Sequence, residues 1–458
     1  MRKTQGSTSI AERGKRTRAV IEPADVHRTL GRNTLVDGYD LVLDLAASSG
    51  SWLVDAVTGT RYLDLFSCFA SSPLGTSPPE LIEDPEFLAQ LTAAAVNKPA
   101  NPDLYTVEYA QFVSAFARVL GDPELPHLFF IDGGALAVEN ALKAAFDWKA
   151  QRAGTTGGDY QVLHLEGAFH GRSGYTLSLT NTEPAKTALF TKFDWPRIPS
   201  PALKFPLTEH AAENADAERK ALAAARAAFE TAGGKIACFL AEPIQGEGGD
   251  NHLSAGFLRG MQELCVEYDA LFVLDEVQTG CGLTGTPWVY QQLDLEPDLV
   301  AFGKKTQVCG VMGGRRTDLV ANNVFAVSSR ISSTWGGNFT DMVRATRIFE
   351  ILDEDGLFDA AAERGRHLLT GLENLAARHR GVVRNPRGRG LMCAFDLPDT
   401  ATRDDLVRRM YADEQVIVLP CGTTGLRFRP ALTITEEQLD VGLSALDRCL
   451  TGVAATAA

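Results

Sequence analysis

The chain has 458 residues, 45% of them hydrophobic and 22% charged, with a formal net charge of −14 and eight cysteines. That length permits a large hydrophobic core and a second, smaller domain, while the acidity argues against a nucleic-acid partner and mildly favours a cationic substrate. No run approaches the roughly 18 apolar residues that span a bilayer, and the cysteines, scattered from Cys68 to Cys449 without C-x-x-C spacing, argue against a zinc site or a disulfide framework and fit a reducing cytoplasm.

Residues 1–20 are basic but contain no apolar h-region, so they read as a mobile arm and not as a secretory signal. In SWLVDAVTGTRYLDL the Thr58-Gly59 turn separates two strand-like runs and predicts a hairpin, within a segment 21–78 that joins the smaller domain. Helical spacing follows over residues 79–120, with Leu81, Phe87, Leu88, Leu91, Phe112, Phe116 and Leu120 as its apolar positions. Apolar runs at 127–131, 162–165, 236–241, 270–274 and 299–302 then alternate with helix-forming segments, including an Ala-rich surface helix at 211–232. This alternation predicts an α/β domain over residues 79–345 built on a mostly parallel sheet. A helical segment at 343–357 leads out of it. Residues 346–458 read as a small α+β domain with short strands in GRGLMCAFDLP, VIVLP and GLRFRPALTI. Its last helix starts at Thr435, where TEEQ matches a capping box, and the tail TGVAATAA is expected to fray.

Several of these strands end in residues that can do chemistry. FFIDGGALAVENALKAAF reads as strand, Gly-Gly turn and helix, so the free N–H groups of Gly134 and Ala135 can receive a dianion; a plain tight turn is the competing reading. In HLEGAFHGRSG, Phe169 can stack on a planar ring or simply fill the core, and His170 is assigned no proton-transfer role. Arg172 can grip a carboxylate with its planar fork or remain a surface arginine. Glu242, before Pro243, sets a turn. Asp275 and Lys304 each follow an apolar run, which places both at the carboxyl ends of strands, where open α/β sheets form their ligand crevice. A strand-end lysine in a closed site can attack a carbonyl to give a Schiff base, and a buried carboxylate can hold the protonated ring nitrogen of pyridoxal phosphate. Their rivals are the adjacent Glu276, which strand alternation turns to the opposite side, and Lys305.

LDEVQTG, a Gly-rich turn and PDLVAFGK together resemble the signature of the class III pyridoxal phosphate aminotransferases, and the likeness extends from about Val36 to Leu450. The resemblance implies a type I pyridoxal phosphate-dependent transferase fold with pyridoxal 5'-phosphate as cofactor. It implies Lys304, directly after Gly303, as the catalytic lysine, Asp275 as the partner of the ring nitrogen, and Gln278 as a donor to the phenolic oxygen. Asp132-Gly133 departs from the polar pair usual before the phosphate-binding turn. Thr334, in SSTWGGN, lies on a loop that in the family reaches the neighbouring subunit's phosphate, which implies a homodimer with shared active sites. Arg172 matches a substrate-carboxylate position. Glu247 matches a carboxylate that pairs with a small-domain arginine, here Arg427 with Arg429 as the rival, and swings away when the acceptor's α-carboxylate needs that arginine. GGALAVENALKAAFDWK, FGKKTQVCGVMGG and STWGGN are similar to the lysine-specific branch, which implies L-lysine and 2-oxoglutarate as substrates. An ornithine or other ω-amino acid aminotransferase is the alternative, followed by a racemase or aminomutase and by a catalytically silent scaffold.

Overall fold

The computed structural model describes residues 20–456, so the arm expected at residues 1–20 lies, apart from Val20, outside the described residues. No helix among the described residues is long and apolar enough to cross a membrane.

A seven-stranded sheet forms the main layer. Its spatial order is His127–Ile131, Cys309–Gly313, Leu299–Phe302, Leu271–Asp275, Ile236–Ala241, Gln161–Leu165 and Arg197–Ile198. All its pairings are parallel except the two made by Cys309–Gly313, which runs antiparallel to both neighbours. The central strands Ile236–Ala241, Leu271–Asp275 and Leu299–Phe302 are buried along their whole length, because helices cover both faces; that is why they read as continuous apolar runs and not as alternating ones.

Five of the seven strands fall where the apolar runs predict them. Cys309–Gly313 escapes that reading because two of its five residues are glycines, which break the apolar run. Gly310 is required there by contact: a Cβ would sit 2.2 Å from the carbonyl oxygen of Phe129 on the next strand and 2.6 Å from the ring of Phe302. Arg197–Ile198 is a two-residue edge strand, too short to show periodicity.

The helical stretch before the sheet breaks into Pro79–Ile82, Pro85–Val96 and Val107–Val119. Asp84 caps the second of these through bonds from the N–H groups of Glu86 and Phe87, and Pro99 and Pro102 keep the following linker out of helix. The exit helix, Phe339–Glu354, starts earlier than its apolar spacing suggests because Asn338 caps it, and stops short of Gly356, whose φ is +59°.

The C-terminal part is a four-stranded antiparallel sheet in the order Arg384–Arg389, Met392–Asp396, Gly425–Phe428 and Leu419–Cys421. The N-terminal hairpin, Trp52–Val54 with Arg61–Asp64, adds Val416–Ile417 as a third, parallel strand, so the start and end of the chain are tied by main-chain hydrogen bonds. At Thr435 the capping box is reciprocal: the Thr435 N–H donates to Gln438 Oε1 and the Gln438 N–H to Thr435 Oγ1. The helix assignment runs through Thr456, into the tail for which fraying is expected; Ala457 and Ala458 lie outside the described residues.

Candidate active site

The carboxyl ends of the parallel strands open into a cavity of about 800 Å³. Asp275 and the Gly303-Lys304 step reach it from adjacent strands, paired with Ala301 opposite Asp275. Gly134 and Ala135 enter from the start of the 19-residue helix Gly134–Arg152, and Phe169, Glu242, Val277 and Gln278 from loops beyond other strand ends. Residues from Gly134 to Lys304 converge because parallel strands all end on the same edge.

Asp275 is buried and doubly held: Oδ2 lies 2.8 Å from Nδ1 of His170, and Oδ1 accepts from the N–H of Val277 at 3.0 Å. His170 is thus a positioning residue, a role its sequence context does not disclose because the contact bridges 105 positions. Its Nε2 is buried with no hydrogen-bond partner among the described residues. Glu276 faces the other way, accepting from Thr279 Oγ1 and from the N–H groups of Val289 and Tyr290, and burial pushes its carboxyl up to about 7. The strand alternation that separates the two carboxylates in the sequence does so in space.

Lys304 takes a left-handed backbone, φ +55°, and its Nζ donates to the carbonyl oxygen of Phe69 at 3.0 Å. A non-glycine residue held in that region is strained, and such strain persists where surrounding structure fixes it. Burial, reinforced by the Arg427 and Arg429 guanidinium groups, brings the Lys304 ammonium down to about 8. Lys305 is buried beneath, donating to the main-chain oxygen of Gln278 at 3.2 Å, and does not line the cavity. Phe69 belongs to a run, Ser67 to Ala70, in which four consecutive non-glycine residues have positive φ. Each costs on the order of 1 kcal/mol, and nothing in SCFA announces the turn.

Gln278 is oriented by Arg429, whose Nε and Nη2 donate to its Oε1 at 3.0 and 2.8 Å. Arg429 is itself locked by a bidentate pair with Asp250, both side chains almost fully buried, at 2.8 and 2.5 Å. With its oxygen occupied, the amide turns its NH₂ end to whatever fills the cavity. Arg429 is therefore committed to structure. Arg427 is the arginine that meets Glu247, Nη2 to Oε2 at 2.7 Å, and its buried Nε has no partner among the described residues. A second cation not foreseen in the sequence, Lys186, donates to the other Glu247 oxygen at 2.6 Å. Burial alone would raise the Glu247 carboxyl, but Arg427 and Lys186 outweigh it and hold it at about 2.

Glu242 shapes the wall: its two oxygens accept from the N–H groups of Phe169 and Gly246, each at 3.0 Å. Arg172 is exposed at the cavity lining and makes no hydrogen bond or ion pair among the described residues. Gly133, with φ +100°, caps the helix without lining the cavity. Thr334 is exposed and stands outside the lining of this single chain.

These residues fit pyridoxal phosphate. A helix start with free N–H groups suits its phosphate, the Phe169 and Val277 side chains offer apolar surface to a flat ring, a buried carboxylate waits for a ring nitrogen, and an amine of lowered pKa waits for an aldehyde. One consequence is measurable. Only neutral Nζ attacks an aldehyde, so capture of pyridoxal phosphate by cofactor-free protein should accelerate as pH rises, half-maximally near 8 and not near the 10.5 of an ordinary lysine. Stopped-flow absorbance across that range checks it, and a midpoint near the ordinary value would contradict the electrostatics described.

The model of the class-III aminotransferase family matches residues 36–450. Among curated proteins, the L-lysine-epsilon aminotransferase of Amycolatopsis lactamdurans is 70% identical over 425 residues, covering 92% of this chain and 94% of that protein. The enzyme of the same description from Streptomyces clavuligerus is 69% identical over 433 residues, covering 94% and 95%. The solved structure of the lysine aminotransferase from M. tuberculosis in the internal aldimine form is 60% identical, with a TM-score of 0.92 over 94% of this chain and 100% of that one.

Proposed function

The chain belongs to the class-III aminotransferases, and from that premise we propose that it is a pyridoxal phosphate-dependent L-lysine 6-aminotransferase, moving the ε-amino group of L-lysine to 2-oxoglutarate and giving 2-aminoadipate 6-semialdehyde and L-glutamate. The observation that carries this reading is the convergence of Asp275, Lys304 and the Glu247–Arg427 pair on one cavity, together with relatives of that activity 69–70% identical over more than nine-tenths of the chain.

When bound, pyridoxal phosphate supplies an aldehyde carbon that condenses with amines and a ring that takes up the electron pair left by proton removal. Lys304 would provide the amine that holds it and, as a free amine, the base that takes the proton from substrate C6. Asp275, oriented by His170, keeps a proton on the ring nitrogen. Gln278, fixed by Arg429, donates to the phenolic oxygen. The N–H groups of Gly134 and Ala135 receive the phosphate, which the Thr334 hydroxyl of a neighbouring subunit completes in a homodimer. Arg172 takes the α-carboxylate of lysine in the first half-reaction and the distal carboxylate of 2-oxoglutarate in the second.

The reacting end of lysine carries no carboxylate, so Glu247 neutralises Arg427 while lysine is bound. When 2-oxoglutarate enters, Glu247 leaves and Arg427 binds the α-carboxylate, because a buried guanidinium without a counter-charge is costly in either state. Glu247→Ala should therefore slow the lysine half-reaction about tenfold more than the 2-oxoglutarate half-reaction. Single-turnover absorbance measured separately for each half decides it; equal losses would remove the exchange. The substrate assignment is tested by mixing the cofactor-loaded protein, without acceptor, with L-lysine, L-ornithine or 4-aminobutyrate. Lysine should bleach the cofactor absorbance fastest and 2-oxoglutarate should restore it. A faster ornithine reaction would reassign the donor and leave the mechanism standing.

A further inference from the structure

Lys186 sits on a short helix, Pro184–Thr187, that none of the motifs described above includes. Its ammonium donates to Glu247 Oε1 at 2.6 Å, lies 2.9 Å from Glu183 Oε1, and stands 5.5 Å from the centroid of the Phe169 ring. Glu247 therefore has two cationic partners, one on each oxygen: Lys186 on Oε1 and Arg427 on Oε2. The two are not equivalent. Arg427 is almost fully buried and keeps an unpartnered Nε, whereas the Lys186 side chain remains partly in contact with solvent at the edge of the cavity.

We propose that Lys186 is the resting partner of Glu247 when that carboxylate leaves Arg427, and so a positioning residue for the acceptor half of the reaction. The proposal rests on the Glu247–Arg427 exchange described above. A carboxylate that swung off Arg427 with no second cation would be left unpaired in a half-buried site, at the cost of its desolvation. With Lys186 already on Oε1, the movement becomes a rotation about a contact that is kept, and only the Oε2 bond is broken. Glu183 grips the same ammonium from its exposed side, and the Phe169 ring lies within cation–π range, so the lysine has reason to stay when Glu247 moves. Removing Lys186 leaves the closed Glu247–Arg427 pair with its main partner but strips the open state of its only one. The loss must then fall more heavily on a dicarboxylate acceptor than on lysine.

The test uses the holoenzyme with Lys186→Met and Lys186→Arg, alone and combined with Glu247→Gln. Enzyme loaded with pyridoxal phosphate is reacted with L-lysine, and enzyme loaded with pyridoxamine phosphate with 2-oxoglutarate, each as a single turnover. In Lys186→Met the efficiency toward 2-oxoglutarate, relative to that toward lysine, should fall about fivefold, and Lys186→Arg should restore it. Binding of glutarate, an unreactive dicarboxylate, should weaken by a similar factor in calorimetry. Both effects should vanish in the Glu247→Gln background, where no carboxylate needs a resting place. If the loss persists there, Lys186 contacts the acceptor directly and the proposal is overturned; equal losses in both half-reactions of Lys186→Met overturn it too. If Glu247→Gln shifts the balance between half-reactions but Lys186→Met does not, only the role of Lys186 fails. If Glu247→Gln changes both halves equally, the exchange itself fails.

Discussion

Lys304→Ala should lose about 10⁴-fold or more in turnover, because in the proposed mechanism one substitution removes both the covalent anchor and the base at substrate C6. The loss is chemical in origin. Alanine keeps a Cβ, so the strained φ of +55° at this position is no worse than before, and the only side-chain bond given up is the one to the Phe69 oxygen. The folded fraction should stay close to that of the parent protein, and pyridoxal phosphate should still bind through Asp275 and the helix start. Borohydride reduction should fix the cofactor to the parent protein and fail to fix it to the variant. A small amine such as methylamine, added to the variant, should restore part of the proton transfer. Turnover within tenfold of the parent would place the base elsewhere, and Lys305 does not qualify without rearrangement, since its Nζ is buried against the Gln278 main chain.

Asp275→Asn should lose about 10³-fold, the order expected when a preorganised charge facing the reacting system is neutralised. Asparagine preserves shape, and its Oδ1 can still accept from the Val277 N–H. What disappears is the negative charge that keeps a proton on the ring nitrogen, so electron withdrawal from C6 weakens while lysine binding changes little. The effect should appear in kcat and not in KM, and the absorbance of the bound cofactor should show its ring nitrogen titrating at lower pH. Changing His170 to glutamine should cost only about tenfold, because its one side-chain hydrogen bond among the described residues is to Asp275, through which it acts. A His170 variant as damaged as Asp275→Asn would mean that the imidazole does more than orient the carboxylate.

The sequence by itself determined five of the seven strands of the main sheet and the edge at which they end. Apolar runs ending in Asp275 and in Gly303-Lys304 are local signals, because a strand buried on both faces must be apolar throughout and a charge can appear only where it stops. Even the rival carboxylate was decided locally, since adjacent residues of an extended chain point to opposite sides. The signature strings made the family legible for the same reason: catalytic groups at strand ends sit within short, fixed spacings. The antiparallel strand Cys309–Gly313 was not legible, as Gly310 answers to the Phe129 carbonyl and the Phe302 ring and Gly313 to the Phe325 ring and Leu299, and neither to any period of its own.

Tertiary structure decided which charges meet. His170 with Asp275, Lys186 with Glu247, Arg429 with Asp250 and Gln278, and Lys304 with the Phe69 carbonyl are pairs separated by 105, 61, 179, 151 and 235 positions respectively. No periodicity connects such residues. Charged and polar groups entering a low-dielectric cavity must each find a partner, and which partner is nearest depends on how the loops beyond the sheet fold over it. That requirement assigns Arg429, just past the end of the strand Gly425–Phe428, to structure and leaves Arg427, within it, available for exchange, a distinction that their sequence context does not contain.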